Sequence, residues 1–251
     1  MIYLKTDEEI ELLRENNILV SETLAEVGRH IRPGVTTKEL DSIAEDFIRA
    51  HGAVPAFLGY QGFPASLCIS VNEQVVHGIP SSKCVLKEGD IVSIDVGAIY
   101  EGFNGDNAWT FPCGKVSEEA QKLMDATRES LFLAIEKAVP GNRIGDIGSA
   151  VQRYVEARNY SVVRDFVGHG VGAKLHEDPS VPNFGTPGRG VRLLPGMTIA
   201  IEPMVNAGTY EVEILSDEWT TVTADGKLSA HFEHSVAITP DGPQILTLPD
   251  D

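Results

Sequence analysis

The chain has 251 residues, of which 42% are hydrophobic and 23% are charged, a composition typical of a globular protein with a buried core. Its formal net charge of -17 argues against a surface that follows nucleic-acid phosphates, because such a surface needs clustered lysine and arginine. Three cysteines without CxxC spacing fit a reducing compartment better than a disulfide framework or a zinc ribbon.

The first residues lack the features of a secretory signal, since no basic stretch precedes an apolar core in residues 1–9. No apolar run in the sequence approaches the length that spans a membrane. Together with the cysteine pattern, these features predict a cytoplasmic protein without a membrane partner.

Four amphipathic helices are predicted, in two pairs. A capping box at Thr6 to Glu9 begins the first helix and Pro33-Gly34 stops it, and the second runs from Thr36 to Gly52. The third and fourth helices are predicted over about 117–138 and about 145–158, with Pro140-Gly141 between them. Strand-like segments fill roughly 66–112 and most of the chain after the fourth helix, apart from glycine- and proline-rich loops around 179–196.

The order of two helices followed by strands occurs twice, which indicates an internal duplication. A shift of 107 positions, the distance from Pro33 to Pro140, also brings Asp95 onto Glu202. The pattern predicts a single domain over residues 1–251, with halves of about 1–113 and 114–251 that face each other across a pseudo-twofold axis. Helices segregated from a curved, antiparallel-rich sheet make this an α+β fold.

Five residues of this framework form a ligand set of four carboxylates and one imidazole: Asp95, Asp106, His169, Glu202 and Glu233. Asp95 and Glu202 lie in apolar strand-like runs, where an ionised carboxylate is costly unless a cation or a donor meets it. For either residue alone, a salt bridge or an edge position is an equally good interpretation. Four carboxylates in two strand pairs favour two divalent ions, which would acidify a shared water into a hydroxide nucleophile. Oxygen ligands with one imidazole suit Mn, Fe(II), Co or Zn without choosing among them.

Three of the seven histidines have a sequence context that favours function. His169 lies between glycines in the segment 167–172, which lets the backbone approach the ring closely and removes competing side chains. His176 follows seven residues later, and His77 ends an apolar strand at a turn signal. Either of these two could donate to a substrate. The other four are interpreted as non-catalytic: His30, His51, His231 and His234.

Six motifs together resemble those of type I methionine aminopeptidase, in order and over essentially the whole chain. They are Asn72 to Pro80 (NEQVVHGIP), Asp95 with Asn104-Gly105-Asp106, Gly168 to Gly172 (GHGVG), His176-Glu177, Ile201 to Gly208 (IEPMVNAG) and Phe232-Glu233-His234. The resemblance implies the pita-bread fold in a single catalytic domain. It also implies metal-dependent removal of the initiator methionine from nascent proteins and peptides whose second residue is small.

The same resemblance implies a role for each site residue. Asp95 would chelate one of two divalent ions and His169 with Glu202 the other, while Asp106 and Glu233 would bridge both. Glu202 would also carry a proton from the nucleophilic water to the leaving amine. The substrate histidines would be His77, near the amino end or scissile nitrogen, and His176, at the developing oxyanion.

A methionine pocket is implied by the resemblance as well, formed by Tyr60, Phe63, Cys68 and Trp219. Aromatic and sulfur side chains suit a flexible, polarizable thioether. Leu175 would lie nearby, although plain core packing is its preferred interpretation, and Cys68 could be either oxidation-sensitive or inert. Three positions depart from the familiar pattern, with Asn104 and Gln61 in place of frequent histidines and Phe63 in place of tyrosine. None of the three is a metal ligand, so they bear on the pocket and its loops.

Two other functions stay open from the sequence. One is an X-Pro aminopeptidase or prolidase of the same fold, although those relatives usually carry an additional N-terminal domain and here the first helix begins near residue 6. The other is an inactive pita-bread protein that only binds a partner, although such proteins typically lose metal ligands. The expected partner is a peptide or a nascent chain at the ribosome, bound by a monomer.

Overall fold

The structure, a computed structural model, describes residues 1–248 and contains two pairs of α-helices in that range. The first pair is α1 (Asp7–Arg29) and α2 (Thr37–Ala50), and the second is α3 (Glu118–Ile135) and α4 (Ile144–Glu156). The predicted capping box is present at Thr6, and a second capping box begins α2 at Thr36. All four predicted helices are confirmed. Each observed boundary differs from the predicted one by only a few residues, a difference that is expected because helix ends fray.

Fifteen strands lie within residues 1–248. They are β1 (Val54–Pro55), β2 (Leu67–Val71), β3 (Gln74–Val76), β4 (Ile91–Tyr100), β5 (Phe103–Pro112), β6 (Ser161–Val162), β7 (Gly168–Gly170), β8 (Glu177–Val181), β9 (Thr198–Ile201), β10 (Met204–Asn206), β11 (Val212–Ile214), β12 (Thr221–Thr223), β13 (Ser229–His231), β14 (His234–Thr239) and β15 (Gly242–Ile245). A 3-10 turn at Tyr60–Gly62 precedes β2.

An antiparallel-rich sheet was predicted, and every strand ladder within the described residues is antiparallel. These strands divide into four hydrogen-bonded sheets. The first half contributes a sheet in which β4 pairs with β1, β2 and β5, and the second half contributes the five-stranded order β15-β14-β9-β7-β8. Two three-stranded sheets, β13-β10-β6 and β11-β12-β3, complete the set. In the last of these, β3 from the first half pairs with β12 from the second.

Each helix pair covers the sheet of its own half. Residues of α1 and α2 pack with β2 and β4 in one apolar core, and residues of α3 and α4 pack with β9 and β14 in the other. The indole of Trp109, on β5, lies against both cores. The helices therefore occupy the outer faces, and the inner ends of the two central sheets are left to form a cavity between the halves.

Backbone contacts repeat with the same spacing of 107 positions as the sequence duplication. Isolated bridges join Thr36 to Val85 and Arg143 to Arg192, which are equivalent pairs. Gly34 and Gly141, also equivalent, adopt φ values of +92° and +93°. Since φ in this region is available to glycine at little cost, the shared Pro-Gly pair marks the same turn in both halves.

Candidate metal centre

Asp95 and Asp106 come from the central hairpin of the first half. In the β4–β5 ladder Asp95 is opposite Ala108 and Asp106 is opposite Gly97. The two aspartates are therefore diagonal neighbours on one face of the hairpin, close enough for their side chains to share a ligand. Both lie in the wall of the central cavity.

His169, Glu202 and Glu233 come from the second half. His169 is the middle residue of β7, Glu202 directly follows β9, and Glu233 directly precedes β14, which pairs with β9. The imidazole Nε2 of His169 lies 3.5 Å from an oxygen of Asp106 and 3.5 Å from an oxygen of Glu202. These side chains therefore bring the two halves together at one point.

The ring of His169 is held in the orientation that a metal ligand needs. Its Nδ1 lies 2.8 Å from the carbonyl oxygen of Gly170, to which it donates, so the lone pair of Nε2 faces the carboxylates. Burial lowers the pKa of His169 to about 4, which keeps the ring neutral. The two glycines that flank His169 were expected to let the backbone approach its ring, but the structure shows that they let neighbouring strands pack closely. A Cβ at Gly168 or at Gly170 would lie 2.3 Å from a backbone oxygen of a neighbouring segment, so close strand packing, more than approach to the ring, demands them.

Burial and mutual repulsion make the four carboxylates hard to ionise in the absence of a cation. Desolvation raises the pKa of Asp95 to about 7. Burial, followed by the charges of neighbouring carboxylates, raises the pKa values of Asp106, Glu202 and Glu233 above their ordinary range. Like charges in a low-dielectric cavity have this effect unless a positive charge joins them.

The donor set fits divalent metal. One ligand atom each of Asp106, His169 and Glu233 lie within 4.8 Å of one another, and Asp95 and Glu202 line the same cavity. Within residues 1–248, buried oxygens of Asp95, Asp106 and Glu233 have no hydrogen-bond partner. Unsatisfied carboxylate oxygens that converge with an imidazole nitrogen are what a divalent ion of the Mn-to-Zn series requires.

Metal is expected to stabilise the protein more as the pH rises. The folded-state pKa of Asp95, about 7, lies above its ordinary value of 3.8, so its contribution to metal-free stability is present at low pH and is lost as the pH rises through about 7. The buried histidines His77 and His169 have folded-state pKa values lowered to about 4. They therefore reduce the stability of the metal-free protein as the pH falls, and only below about pH 6.5. Bound metal replaces the protons of the carboxyl groups.

This expectation is checked by thermal unfolding of chelated and of metal-loaded protein at about pH 6.5 and about pH 8, a window that spans the pKa of Asp95, about 7, and lies above the lowered pKa values of His77 and His169. The metal-induced rise in Tm should be larger at the higher pH. An Asp95→Asn variant should show a weaker dependence of that rise on pH. Equal rises at both pH values in the unmodified chain would contradict a carboxylate-rich metal site.

The predicted methionine pocket forms one side of a cavity of about 220 Å³ next to the carboxylates. Phe63, Cys68 and Leu175 are buried together in one apolar cluster, with Tyr60 and Trp219 packed against it. The rings of Phe63 and Trp219 meet edge to face with centroids 5.1 Å apart. Leu175, interpreted as core packing, is part of that cluster and also lines the cavity. Burial, and then the charge of Asp95, raises the pKa of the Cys68 thiol, which disfavours the reactive thiolate.

Both predicted substrate histidines also line the cavity. His77 has a left-handed φ of +60°, a conformation that is uncommon outside glycine and clusters at functional sites. Gly78 follows it, where a Cβ would lie 2.1 Å from the carbonyl oxygen of Ile69. His176 is partly exposed; its Nδ1 lies 2.8 Å from the hydroxyl oxygen of Tyr60, and its ring centroid is 4.2 Å from that of His169.

Several cavity residues were not identified from the sequence. His231 was interpreted as non-catalytic, yet it lines the cavity, and its Nε2 is 3.7 Å from an oxygen of Glu202. Its position two residues before Glu233 was the available signal, because alternate residues of an extended chain share a face. The others are apolar residues whose types indicate only packing: Phe57, Val76, Phe166, Val167 and Met204.

The structure shows the surroundings of two of the departures from the familiar motifs. The side-chain amide of Asn104 donates to the carbonyl oxygen of Gly172 at 3.0 Å and is buried. It therefore joins β5 to the loop that carries His176, instead of facing the cavity. Gln61 lines the cavity with a left-handed φ of +48°.

Comparison with known proteins places this geometry among metallopeptidases. The profile of metallopeptidase family M24 matches residues 11–240. Methionine aminopeptidase of Clostridium perfringens is 60% identical over 248 residues, 99% of each chain, and methionine aminopeptidase 1 of Bacillus subtilis is 55% identical over 98% of this chain and 99% of its own.

Solved structures agree with these sequence relatives. The crystal structure of methionine aminopeptidase from Thermotoga maritima superposes with a TM-score of 0.98, at 47% identity, over 99% of this chain and 100% of that one. The prolidase of Pyrococcus furiosus superposes with a TM-score of 0.79, at 25% identity, over 99% of this chain but only 66% of its own. The full-length agreement is therefore with the first group of structures.

Proposed function

The chain belongs to the methionine aminopeptidases of metallopeptidase family M24, a group of hydrolases with the pita-bread fold, and from that premise we propose how its own residues act. Its function is the metal-dependent removal of N-terminal methionine from peptides and proteins. The observation that supports a working site is the convergence of all five predicted ligands and both predicted substrate histidines on one cavity. Residues 1–251 act as a single catalytic domain whose halves each supply part of the site.

Two divalent ions would be held by Asp95, Asp106, His169, Glu202 and Glu233, with Asp106 and Glu233 as the ligands that both ions would share. Co, Mn, Fe(II) and Zn all suit this donor set. When bound, such ions polarise the scissile carbonyl and bring the pKa of water near neutrality. Buried oxygens of Asp95, Asp106 and Glu233 that have no hydrogen-bond partner support this assignment.

Glu202 is the residue that moves the proton. It lies at the end of β9 with a side chain only 13% exposed, and burial with the charge of Asp95 raises its pKa. A carboxylate with a raised pKa can accept a proton from water and return it to the leaving amine at neutral pH. Asp106 and Glu233 are more deeply buried than Glu202, and Glu202 also lies near the rings of both His169 and His231, which suits it to both duties.

His77 and His176 bind the peptide beside the ions. Burial lowers the pKa of each ring, so both are neutral donors at neutral pH. The Tyr60 hydroxyl oxygen lies 2.8 Å from Nδ1 of His176, and we assign the hydroxyl as the donor. The ring proton of His176 is then on Nε2, where it can stabilise negative charge that develops on the carbonyl oxygen. His77 contacts the amino end or the scissile nitrogen.

The side chain of methionine occupies the apolar wall formed by Tyr60, Phe63, Cys68 and Trp219. This wall is mostly buried and adjoins the carboxylates, so an N-terminal amine can approach the metal site while the thioether is desolvated. A protonated Cys68 thiol acts there as a small apolar group. Substrates are peptides whose second residue is small.

No helix of residues 1–248 is long and apolar enough to cross a membrane. Peptide N-termini are the substrates, and nascent chains at the ribosome are the physiological source that we propose. The protein acts as a monomer in the cytoplasm. Cleavage of a peptide N-terminus does not require a basic surface for nucleic acid, in agreement with the net charge of -17.

A peptide panel tests the assignment. Chelated protein is reconstituted with each divalent metal in turn and given Met-Ala-Ser, Met-Leu-Ser, Ala-Pro-Ser and Leu-Ala-Ser, and released amino acid is quantified. Rapid release of methionine from Met-Ala-Ser, with little from Met-Leu-Ser and none from the peptides that lack methionine, is the expected result. Dominant cleavage of Ala-Pro-Ser, or no turnover with any metal, would overturn the proposed function.

A further inference from the structure

The loop that presents His176 has few anchors of its own. Between Gly172 and Glu177, the side chains of Ala173, Lys174 and His176 are exposed, and only Leu175 is buried in the aromatic cluster. A loop with so few buried groups is expected to be mobile unless something outside it holds it. A group that must stabilise a developing charge, however, has to be held in place.

Asn104 holds the first residue of the loop, Gly172, and Tyr60 contacts the His176 ring. The far end of the loop, at Glu177, is held by the segment that precedes α1. The ammonium of Lys5 lies 2.5 Å from a carboxylate oxygen of Glu177, and their side chains are only 6% and 7% exposed. The other oxygen of Glu177 accepts from the backbone N–H of Lys174 at 3.1 Å. The carboxylate of Glu177, the residue after His176, therefore binds both the backbone of the loop at Lys174 and the ammonium of Lys5.

Lys5 is itself fixed from behind. Its backbone N–H donates to the carbonyl oxygen of Gly196 at 2.7 Å, in the turn just before β9 and Glu202. Its side chain crosses Gly172, where a Cβ would lie 2.5 Å from the Lys5 side chain and 2.8 Å from Glu177. The glycine at 172 therefore leaves the space through which the lysine reaches its partner.

We propose that Lys5 is a positioning residue for His176, acting through its buried ion pair with Glu177. Neither Lys5 nor Glu177 lines the central cavity, so neither contacts the methionine end of the substrate. The ion pair sets the start of β8, which begins at Glu177 and pairs there with Gly170 next to His169. It thereby fixes the separation of the two histidines and the orientation of the His176 ring. This inference rests on the role proposed above for His176.

The test is a double-mutant cycle on the metal-loaded, full-length protein, with Met-Ala-Ser as substrate. Lys5→Met should lower kcat by about 10- to 100-fold with KM changed by less than about 2-fold, because a misplaced catalytic group costs turnover more than binding. Lys5→Arg should keep most of kcat, since it restores the charge. Lys122→Met is the matched control, because Lys122 forms an exposed pair with Glu118 on α3, and it should behave as the unmodified chain.

The decisive comparison is between backgrounds. In His176→Ala protein, adding Lys5→Met should lower the residual kcat by less than about 2-fold, since the group that Lys5 positions is gone. A loss that is the same in both backgrounds, or an unchanged kcat in Lys5→Met alone, would overturn the inference. If Lys5→Met fails to fold, Glu177→Gln is judged by the same criteria, because its amide oxygen can still accept from Lys174. Turnover of Met-Ala-Ser by unmodified protein tests the proposed function separately from this outcome.

Discussion

Glu202→Gln is expected to lower kcat for a Met-Ala peptide by about 10³-fold or more, equivalent to about 4 kcal/mol of barrier. The amide keeps the size of the side chain but can neither accept a proton from water nor balance the charge of a divalent ion. Of the four carboxylates, Glu202 is the one adjacent to both His169 and His231. Its loss therefore removes a ligand and the proton carrier together.

Measuring the metal content distinguishes the role of Glu202 as a metal ligand from its role as the proton carrier. Metal bound per chain should be measured on the same Glu202→Gln preparation, and a loss of turnover that persists when the metal content equals that of the unmodified chain is assigned to proton transfer. Glu213→Gln is a matched control, since Glu213 is exposed on the edge strand β11, and it should leave kcat unchanged. Unaltered turnover in Glu202→Gln would instead support a different proton carrier.

Much of the fold could be predicted because local signals and the duplication agreed. Capping boxes and Pro-Gly turns fix helix ends through hydrogen bonds within a few residues, so Thr6 and Thr36 were recognisable without tertiary information. The 107-position shift then paired Asp95 with Glu202, and both lie in or directly after the central strand of their half. Such features depend on the chain within one half.

The relation between Asp106 and Glu233 could not be obtained in that way. In the ladders, Trp109 pairs with Ile94 and His234 pairs with Ile201. The residue equivalent to Glu233 is therefore Ala108, two positions after Asp106. The two carboxylates come from matching strands but from different places along them, a displacement that depends on strand register and is set by tertiary packing.

The residues of the site likewise fall into those that local sequence reveals and those that tertiary packing brings together. Polar residues in apolar surroundings, such as Asp95 and His169, were detectable because their burial needs a compensating partner. The apolar wall was detectable only through family resemblance, since Phe57 or Met204 could equally be core. The Lys5–Glu177 pair joins residues 172 positions apart, and no local pattern connects them.

His176→Ala is expected to lower kcat by about 10²- to 10³-fold, the usual loss when one donor to a developing oxyanion is removed. KM should change far less, because the charge that the imidazole stabilises forms only in the transition state. Steady-state kinetics with Met-Ala-Ser measures both parameters. His51→Ala, which removes an exposed histidine at the end of α2, is the control and should leave both unchanged. A raised KM with normal kcat would assign His176 to binding alone.

Tyr60→Phe distinguishes the ring proton's position from the mere presence of the ring. The Tyr60 hydroxyl is the hydrogen-bond partner of Nδ1 in His176 at 2.8 Å, and without it the neutral ring can place its proton on either nitrogen. Loss of one hydrogen bond of about 1 kcal/mol predicts a reduction in kcat of roughly 5-fold, well short of the loss in His176→Ala. In the His176→Ala background the same substitution should have no further effect on kcat. Additive losses would mean that Tyr60 acts only through the methionine pocket.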